Sequence, residues 1–451
     1  MAKKKNIAEE DMMEDNVEEK KEEETLEERI GEQSADSGTF NPLIAALREN
    51  DRKNLFSTNV TTAFLKTGFP LFDYYFGSVV NIHNELGEII EQQPRVGQAA
   101  GTFNMLIGSS GCGKSTLAAQ LSSNIIRQYK NGNILHFDAE QRMDISRIEN
   151  ISKLPISDFE ENGRYILKSG LLGLDTVQEM LVKLYAAKMH NKESLTIEMP
   201  YTDEFGRKVK ILQPTVVILD SITTIINETF SIDNAKELTA AAQLQSNTEG
   251  ARFAKSIKGF FRDVLPLLKE ANIIVYAINH INSNMSMNSF IPVSKQQMYL
   301  RQDESIPGGR ILLYYPFNII KLTAKPSDNF KESEDGFDGH LVMVEPIKSS
   351  SNQSGNDSKG VSFDMVFSFK NGFDSLRSII HYGREKSLIT GNKNKLKFKD
   401  NPKYNFDFKD IYNEVNKHPI WEDIVKYIIP ELKEHLSFVD HFQFDTRSMN
   451  Y

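Results

Sequence analysis

A short glycine-rich run carries a lysine and a hydroxyl residue at fixed positions. It follows the spacing G-x-x-x-x-G-K-[ST] and consists of Gly108, Ser109, Ser110, Gly111, Cys112, Gly113, Lys114 and Ser115. Glycines let backbone N–H groups converge on phosphate oxygens. The lysine ammonium can then reach the outer phosphates, and the serine hydroxyl can ligate Mg²⁺. The run therefore predicts a phosphate loop for a nucleotide and its magnesium ion.

The elements on both sides of this run support that prediction. Residues Phe103–Ile107 are apolar and predict a short strand before it, and Leu117–Tyr129 predict a helix after it. A helix N-terminus is positive and presents free backbone N–H groups, which suits phosphate. Because strand, loop and helix follow in the order that this chemistry needs, a phosphate loop is favoured over a chance match.

A second apolar strand, further along the chain, is predicted to end in a carboxylate. The run Pro214–Ser221 is apolar up to Asp220. A carboxylate at the end of a strand can hold Mg²⁺ directly or through water. Many buried strands end in aspartate, so the feature is weak alone. Together with the glycine-rich run it predicts a magnesium site formed by Ser115 and Asp220.

The composition is typical of an intracellular α/β protein. Predicted strands and helices alternate through the middle of the 451-residue chain, which favours a mostly parallel sheet. The chain contains no apolar run of about 18 residues, so no membrane span is predicted. The charged N-terminus does not resemble a signal peptide. Cys112 is the only cysteine, which suits a reducing compartment. We therefore expect a cytoplasmic protein with no membrane partner.

Charge and composition divide the chain unevenly. Residues 1–38 contain 14 acidic and 6 basic residues, which gives −8 of the total net charge of −9. They predict a disordered acidic tail. Residues 39–65 predict a docking or oligomerisation segment, 66–386 a catalytic core, and 387–451 a basic, partly helical C-terminal region. The tail is either a solvated appendage or a mimic that competes with nucleic acid for a basic surface.

Several segments together resemble the RecA/RadA recombinase family, and the pattern is similar to that of its phage members. They span residues 60–385 in the family's order and are Thr67-Gly68-x-Pro70-Leu71-x-Asp73, the glycine-rich run, Phe137-Asp138-Ala139-Glu140, Val217-Ile218-Leu219-Asp220-Ser221, Ala277-Ile278-Asn279-His280 and Gly308-Gly309. The glycine-rich run is common to many ATPases. The predicted strand ends Asp138-Ala139-Glu140 and Asn279-His280 are more specific to this family. The resemblance implies a RecA-like P-loop ATPase core with a twisted, mostly parallel sheet flanked by helices.

The same resemblance implies a function and its partners. It implies an ATP- and Mg²⁺-dependent helical filament on single-stranded DNA, which exchanges strands with homologous duplex DNA. Single-strand-binding and loader proteins are further expected partners, and the location is the host cytoplasm if the chain is phage-encoded.

Roles at the nucleotide follow from the resemblance, residue by residue. Glu140 stands where the family keeps the glutamate that activates the attacking water, and His280 where a polar side chain senses the γ-phosphate. Asp144 stands where the family contacts adenine, and Arg147 is the nearest candidate to stack on the base. Lys348 and Lys359 are candidates to reach a neighbouring subunit's ATP. Lys114 and Thr116 complete the expected catalytic and nucleotide-binding set.

The resemblance also places two DNA-binding loops, approximately at Phe230–Asn247 and Asn282–Pro307. Apolar side chains in the second loop could wedge between bases while its basic residues meet phosphates. The alternative is ordinary loop packing. Asp303 and Glu304 are expected to repel phosphate. The expected DNA-binding residues are Met285, Phe290, Lys295, Tyr299, Arg301, Gly308 and Gly309.

Other functions share parts of this pattern. A RecA-type hexameric replicative helicase has the same core, a small-molecule kinase has the same phosphate loop, and a DNA-binding filament protein could hold ATP as a structural ligand. The chain departs from the family in an insertion at Val79–Gly101, a predicted β-hairpin at 196–212 and a long polar segment at Lys348–Lys359.

Overall fold

The computed structural model describes most of the chain from residue 63 onward. The described residues are 63–84, 88–159, 163–170, 172–204, 206–226, 246–283, 300–301, 303–329, 339–350, 361–392, 395–407, 411–433 and 436. The predicted acidic tail and nearly all of the predicted docking segment lie outside them.

The described residues form twenty strands, ten α-helices and two short helical turns of other types. In chain order the strands are β1 (Phe64–Leu65), β2 (Ser78–His83), β3 (Ile89–Arg95), β4 (Gln98–Ala99), β5 (Phe103–Gly108), β6 (Asn133–Asp138), β7 (Tyr165–Ser169), β8 (Thr196–Thr202), β9 (Lys208–Leu212), β10 (Thr215–Asp220), β11 (Ile273–His280), β12 (Asn282–Ser283), β13 (Glu304–Ser305), β14 (Asn318–Asn329), β15 (His340–Ser349), β16 (Phe363–Ser368), β17 (Gly372–Asp374), β18 (Ile389–Asn392), β19 (Lys395–Phe398) and β20 (Asn401–Phe406). The α-helices are α1 (Pro70–Tyr75), α2 (Lys114–Arg127), α3 (Ile145–Ser152), α4 (Leu174–His190), α5 (Lys192–Leu195), α6 (Ser246–Ala271), α7 (Ile311–Tyr314), α8 (Ser375–Glu385), α9 (Glu414–Asp423) and α10 (Ile429–Lys433), with a 3₁₀ turn at Ile156–Phe159 and a π-helical turn at Ile424–Ile428.

A nine-stranded sheet forms the centre of the described residues. Its strand order is β17-β16-β15-β14-β5-β11-β10-β6-β7. The strands from β14 to β7 are parallel to one another, and β15, β16 and β17 continue the sheet in antiparallel pairs. The predicted mixed α/β architecture with a mostly parallel sheet is therefore confirmed.

Helices cover both faces of this sheet, as its sequence requires. Strands β5 and β10 are buried at every residue, which explains their continuous apolar runs. Along each strand, successive side chains point to opposite faces of the sheet. Ile218 packs in the same apolar cluster as Ile125 of α2, whereas Val217 packs in the other cluster with Leu181 of α4 and Phe261 of α6. The sheet is thus fixed rigidly between two cores.

The parallel strands bring four chain positions to one sheet edge. In the register of the sheet Asp220 lies opposite Asp138, and His280 lies opposite Gly108. All four residues stand at the carboxyl ends of their strands. In open α/β sheets this edge is where ligands bind, because loops from several strands open there together. The topology therefore assembles the candidate site.

The two insertions form paired strands. The predicted hairpin at 196–212 is confirmed as β8 and β9, and the insertion at Val79–Gly101 contains the antiparallel pair of β2 and β3. The insertions contact each other, since Arg95 donates to the carbonyl oxygen of Thr202 and its guanidinium lies 4.0 Å from the centre of the Tyr201 ring.

No helix among these described ranges is both long and apolar enough to cross a membrane.

Candidate functional site

The glycine-rich loop, Gly108–Ser115, joins β5 to α2 at the carboxyl edge of the sheet. Gly113 precedes α2 in a left-handed conformation, with φ of +88°. A Cβ atom at this position would lie 2.9 Å from the rings of Phe367 and Phe373. Both the backbone angle and the space therefore require glycine at the point where the loop enters the helix.

The N-terminus of α2 presents positive charge to the loop. Lys114 is buried, and its Nζ donates to the carbonyl oxygens of Gly108 at 2.9 Å and Ser109 at 2.7 Å. Burial lowers the pKa of this ammonium. The first turn of α2 contains no acidic residue, and its cap position, Gly113, offers no side-chain acceptor. The N–H groups of this turn are thus available to an anion.

Two oxygen ligands for a hard cation lie next to the loop. Asp220 is buried at the end of β10, and burial raises the pKa of its carboxyl to about 6 although the Ser115 hydroxyl donates to it. A hydroxyl and a carboxylate in contact are the protein ligands that Mg²⁺ takes when water and phosphate complete its coordination. Ser115 and Asp220 therefore fit a magnesium ion.

Glu140 lies just beyond β6 and faces the same space. Its Oε1 lies 3.2 Å from Nε2 of His280, and its Oε2 lies 3.1 Å from the guanidinium of Arg142. Burial alone would raise the pKa of Glu140, but hydrogen bonds from His280 and Ser221 and the charge of Arg142 outweigh it and lower the pKa. The carboxylate is thus ionised and fixed, as a general base or water-orienting group must be.

Asn279 connects this edge to two neighbouring segments. Its Oδ1 accepts from the Thr223 hydroxyl at 2.6 Å and from the backbone N–H of His280 at 2.8 Å. Its Nδ2 donates to the carbonyl oxygen of Pro307 at 3.1 Å. Thr223 follows β10, and Pro307 ends the second predicted DNA loop. The buried amide therefore ties β11 to the base of that loop, a role that we did not predict from the sequence.

A cavity of about 230 Å³ opens where these elements meet. Ten of the predicted nucleotide, metal or catalytic residues line it, namely Ser110, Gly111, Gly113, Lys114, Ser115, Thr116, Glu140, Arg147, Asp220 and His280. Five residues to which the sequence assigned no role complete the lining, namely Arg142, Met143, Ile278, Phe367 and Phe369. Phe369 is 60% exposed and offers an aromatic face beside the cavity.

Asp144 and Lys348 have other contacts in the structure. Asp144 caps α3 by accepting from the backbone N–H of Arg147 at 2.8 Å, and among the described residues it does not line the cavity. Lys348 donates to the carbonyl oxygens of Leu313 and Tyr314, at 3.3 and 2.6 Å, at the end of α7. Their predicted contacts with adenine and with a neighbouring subunit's ATP remain predictions.

Most predicted DNA-binding residues fall outside the described ones. This holds for Met285, Phe290, Lys295 and Tyr299. Arg301 is exposed, and Gly308 and Gly309 have positive φ angles of +89° and +80° just before α7. The second predicted loop is closed at its base, because β12 pairs with β13.

Glu304, which is expected to repel phosphate, pairs with a lysine in the structure. Both carboxylate oxygens of Glu304 accept from Nζ of the buried Lys321, at 2.6 and 2.8 Å. The lysine charge reduces the repulsion that this carboxylate can exert. Its effect on a DNA strand remains a prediction.

A comparison of the chain with known protein families finds no match, and a search of curated proteins finds no relative. The function is therefore inferred from the residues of the site.

Proposed function

We propose that this protein is an ATP-dependent DNA strand-exchange recombinase with a RecA-like P-loop ATPase core. It assembles into a helical filament on single-stranded DNA, pairs that strand with homologous duplex DNA and hydrolyses ATP. The observation that carries the proposal is the meeting of Lys114, Ser115, Asp220, Glu140 and His280 around one cavity at the carboxyl edge of a mostly parallel sheet.

The site can bind a nucleoside triphosphate with the groups that it contains. The N–H groups at the start of α2 and the Lys114 ammonium receive the phosphates, and Ser115 and Asp220 hold Mg²⁺, which neutralises phosphate charge. Lys114 now donates to two loop carbonyls, so its ammonium exchanges those acceptors for phosphate oxygens on binding. Phe369 and Arg147 offer flat faces on which the base can stack.

Glu140 gives the site a means of hydrolysis. An ionised carboxylate beside the terminal phosphate can orient a water molecule and accept its proton. His280 contacts the same carboxylate and lines the same cavity, so it can respond to the presence of that phosphate. A protein that keeps ATP only as a structural ligand has no need of such a carboxylate, and a kinase must exclude water rather than activate it.

Asn279 offers a route from the nucleotide to DNA. It holds the backbone of His280, the Thr223 hydroxyl and the carbonyl of Pro307 together. Thr223 stands just before the first predicted DNA loop, and Pro307 ends the second. A change at His280 on nucleotide binding or hydrolysis can therefore alter both loops, which supports coupling of ATP turnover to DNA contact.

Electron microscopy of the full-length protein tests this proposal. The sample contains single-stranded DNA and a non-hydrolysable ATP analogue, and Lys114→Ala serves as the control that cannot bind nucleotide productively. We expect helical filaments for the parent protein and none for the control. Closed six-membered rings would instead indicate the hexameric helicase, and dispersed particles would contradict both.

A further inference from the structure

Besides Lys114 and Arg147, a further cationic side chain lines the candidate cavity and contacts Glu140. Arg142 follows Glu140 by two residues, and its Nη1 lies 3.1 Å from Oε2 of that carboxylate. Its side chain remains 71% exposed even in this contact, and it lines the cavity together with Lys114. The guanidinium is thus held at the rim of the cavity by one carboxylate oxygen while its other donors face solvent.

We propose that Arg142 binds the terminal phosphate of the nucleotide from within its own chain and bridges that phosphate to Glu140. The inference rests on the proposed function, because it assigns a further residue to the same nucleotide site.

Charge explains why such a residue is needed. An ionised carboxylate within one water of a triphosphate is repelled by it, and the repulsion is strong in a partly buried site. Lys114 is buried against the glycine-rich loop, where its Nζ donates to the carbonyl oxygens of Gly108 and Ser109. A cation placed between the carboxylate and the phosphate removes the repulsion and keeps Glu140 close to the reacting water.

The geometry of arginine suits this position. A guanidinium carries five N–H donors in a planar fork, so one edge can hold a carboxylate while another holds a phosphate. Arg142 is already placed by Glu140, which limits the ordering that phosphate binding requires. Arg142 should contact the terminal phosphate and no other phosphate, because Glu140 is the group expected beside the terminal one.

The test compares affinities for a non-hydrolysable ATP analogue and for ADP, with matched variants. Arg142→Gln removes the charge and Arg142→Lys keeps it without the fork. Arg262→Gln is the control, because Arg262 is an equally exposed arginine that pairs with a neighbouring carboxylate, Asp263, on α6 (76% exposed, 2.7 Å).

We expect Arg142→Gln to weaken analogue binding about tenfold, the value of one lost charged hydrogen bond. ADP binding should change by less than about twofold, because no terminal phosphate is present. Arg142→Lys should recover part of the analogue affinity, and Arg262→Gln should match the parent. Circular dichroism melting of each variant confirms that it is folded.

A double variant separates direct contact from an effect through Glu140. If Arg142 binds phosphate, Arg142→Gln still weakens analogue binding when Glu140→Gln is already present. An analogue affinity equal to that of the parent, an equal loss for ADP, or no further loss in the double variant would each overturn the proposal while leaving the proposed function intact. If the parent and the Arg262→Gln control bind neither nucleotide, the proposed function itself fails and this inference falls with it.

Discussion

At the scale of single residues, burial and hydrogen bonding decide which groups are charged. Glu140 and Asp220 are both carboxylates at the same sheet edge, yet the pKa of Glu140 is lowered and that of Asp220 is raised to about 6. The difference arises because Glu140 contacts two basic side chains, whereas Asp220 is more deeply buried and has Glu140 and Asp138 nearby. Glu140 is thus suited to orient a water molecule, and Asp220 to bind a cation.

Asp73 gives a pH-dependent prediction away from this site. It is buried, accepts from the backbone N–H and hydroxyl of Thr67 at 2.8 and 2.6 Å, and burial raises its pKa to about 7. Because the folded pKa lies above the unfolded one, the stability from this group is fully present below about pH 4 and is lost as the pH rises through about 7.

The variant Asp73→Asn keeps an oxygen acceptor and removes the titration. Between pH 5 and 8 the parent should therefore lose on the order of 2 kcal/mol more free energy of unfolding than the variant. Urea denaturation at several pH values measures this difference. Parallel pH profiles for the two proteins would show that Asp73 does not titrate as described.

At the scale of elements, the junction between β5 and α2 depends on its glycines for different reasons. A Cβ atom at Gly113, where φ is positive, would lie 2.9 Å from two aromatic rings, whereas one at Gly111, where φ is +78°, would have nothing within 4 Å. The two positions form a matched pair, because both carry backbone strain on substitution and only one carries a clash.

Gly113→Ala should accordingly lower the free energy of unfolding by about 2–4 kcal/mol, from strain plus overpacking. Gly111→Ala should cost only about 1–2 kcal/mol, from strain alone. Chemical denaturation of both variants checks the order. Equal losses would mean that the rings of Phe367 and Phe373 move aside freely.

Asn279 gives a prediction about the coupling of strands to loops. Asn279→Ala removes the acceptor for Thr223 and for the backbone N–H of His280, and the donor to Pro307, but leaves Lys114, Ser115 and Asp220 unchanged. Nucleotide affinity should stay within about twofold of the parent, but single-stranded DNA should no longer stimulate hydrolysis. The control Thr223→Val loses only the hydroxyl and should keep part of the stimulation. Full stimulation in Asn279→Ala would exclude this route.

Sequence reasoning correctly predicted which residues lie together at the ends of the parallel strands. Asp220, Glu140 and His280 each follow an apolar run, and parallel strands bring such ends together whatever the order of the strands. It could not find Phe369 or Arg142, because neither stands in a pattern of its own. Phe369 reaches the cavity only because β14 to β17 fold back in antiparallel pairs, a direction that apolar runs do not reveal.

The contact between Glu304 and Lys321 could not be predicted for a similar reason. It joins β13 to β14, and the two residues are seventeen positions apart. No local spacing rule links them. Contacts between separate elements are set by how the chain folds, so they become visible only in the folded structure.

At the scale of the whole molecule, charge is concentrated at the N-terminus. Residues 1–38 carry −8, and the exposed Lys395 and Lys399 of the C-terminal region belong to a lysine-rich stretch. Opposite charges attract within about 8–10 Å at physiological salt. We therefore expect the tail to compete with nucleic acid for basic surface, and the denser phosphate charge of nucleic acid to displace it.

Deletion of residues 1–38 should then raise the affinity for single-stranded DNA at low salt, and the difference should fade as salt rises. Fluorescence anisotropy with a labelled oligonucleotide, over a salt series, measures both effects. Equal affinities at low salt would leave the tail as an appendage that does not compete with DNA.

The role of Glu140 in hydrolysis is tested most directly when nucleotide binding and hydrolysis are measured separately. Affinity for ATP and DNA-stimulated ATP hydrolysis are measured on the parent, Glu140→Gln and Lys114→Ala. Glu140→Gln should bind ATP at least as tightly as the parent but hydrolyse it about 10²–10⁴-fold more slowly, and Lys114→Ala should fail to bind ATP productively. Hydrolysis by Glu140→Gln at the parent rate would show that the Glu140 carboxylate does not activate the water.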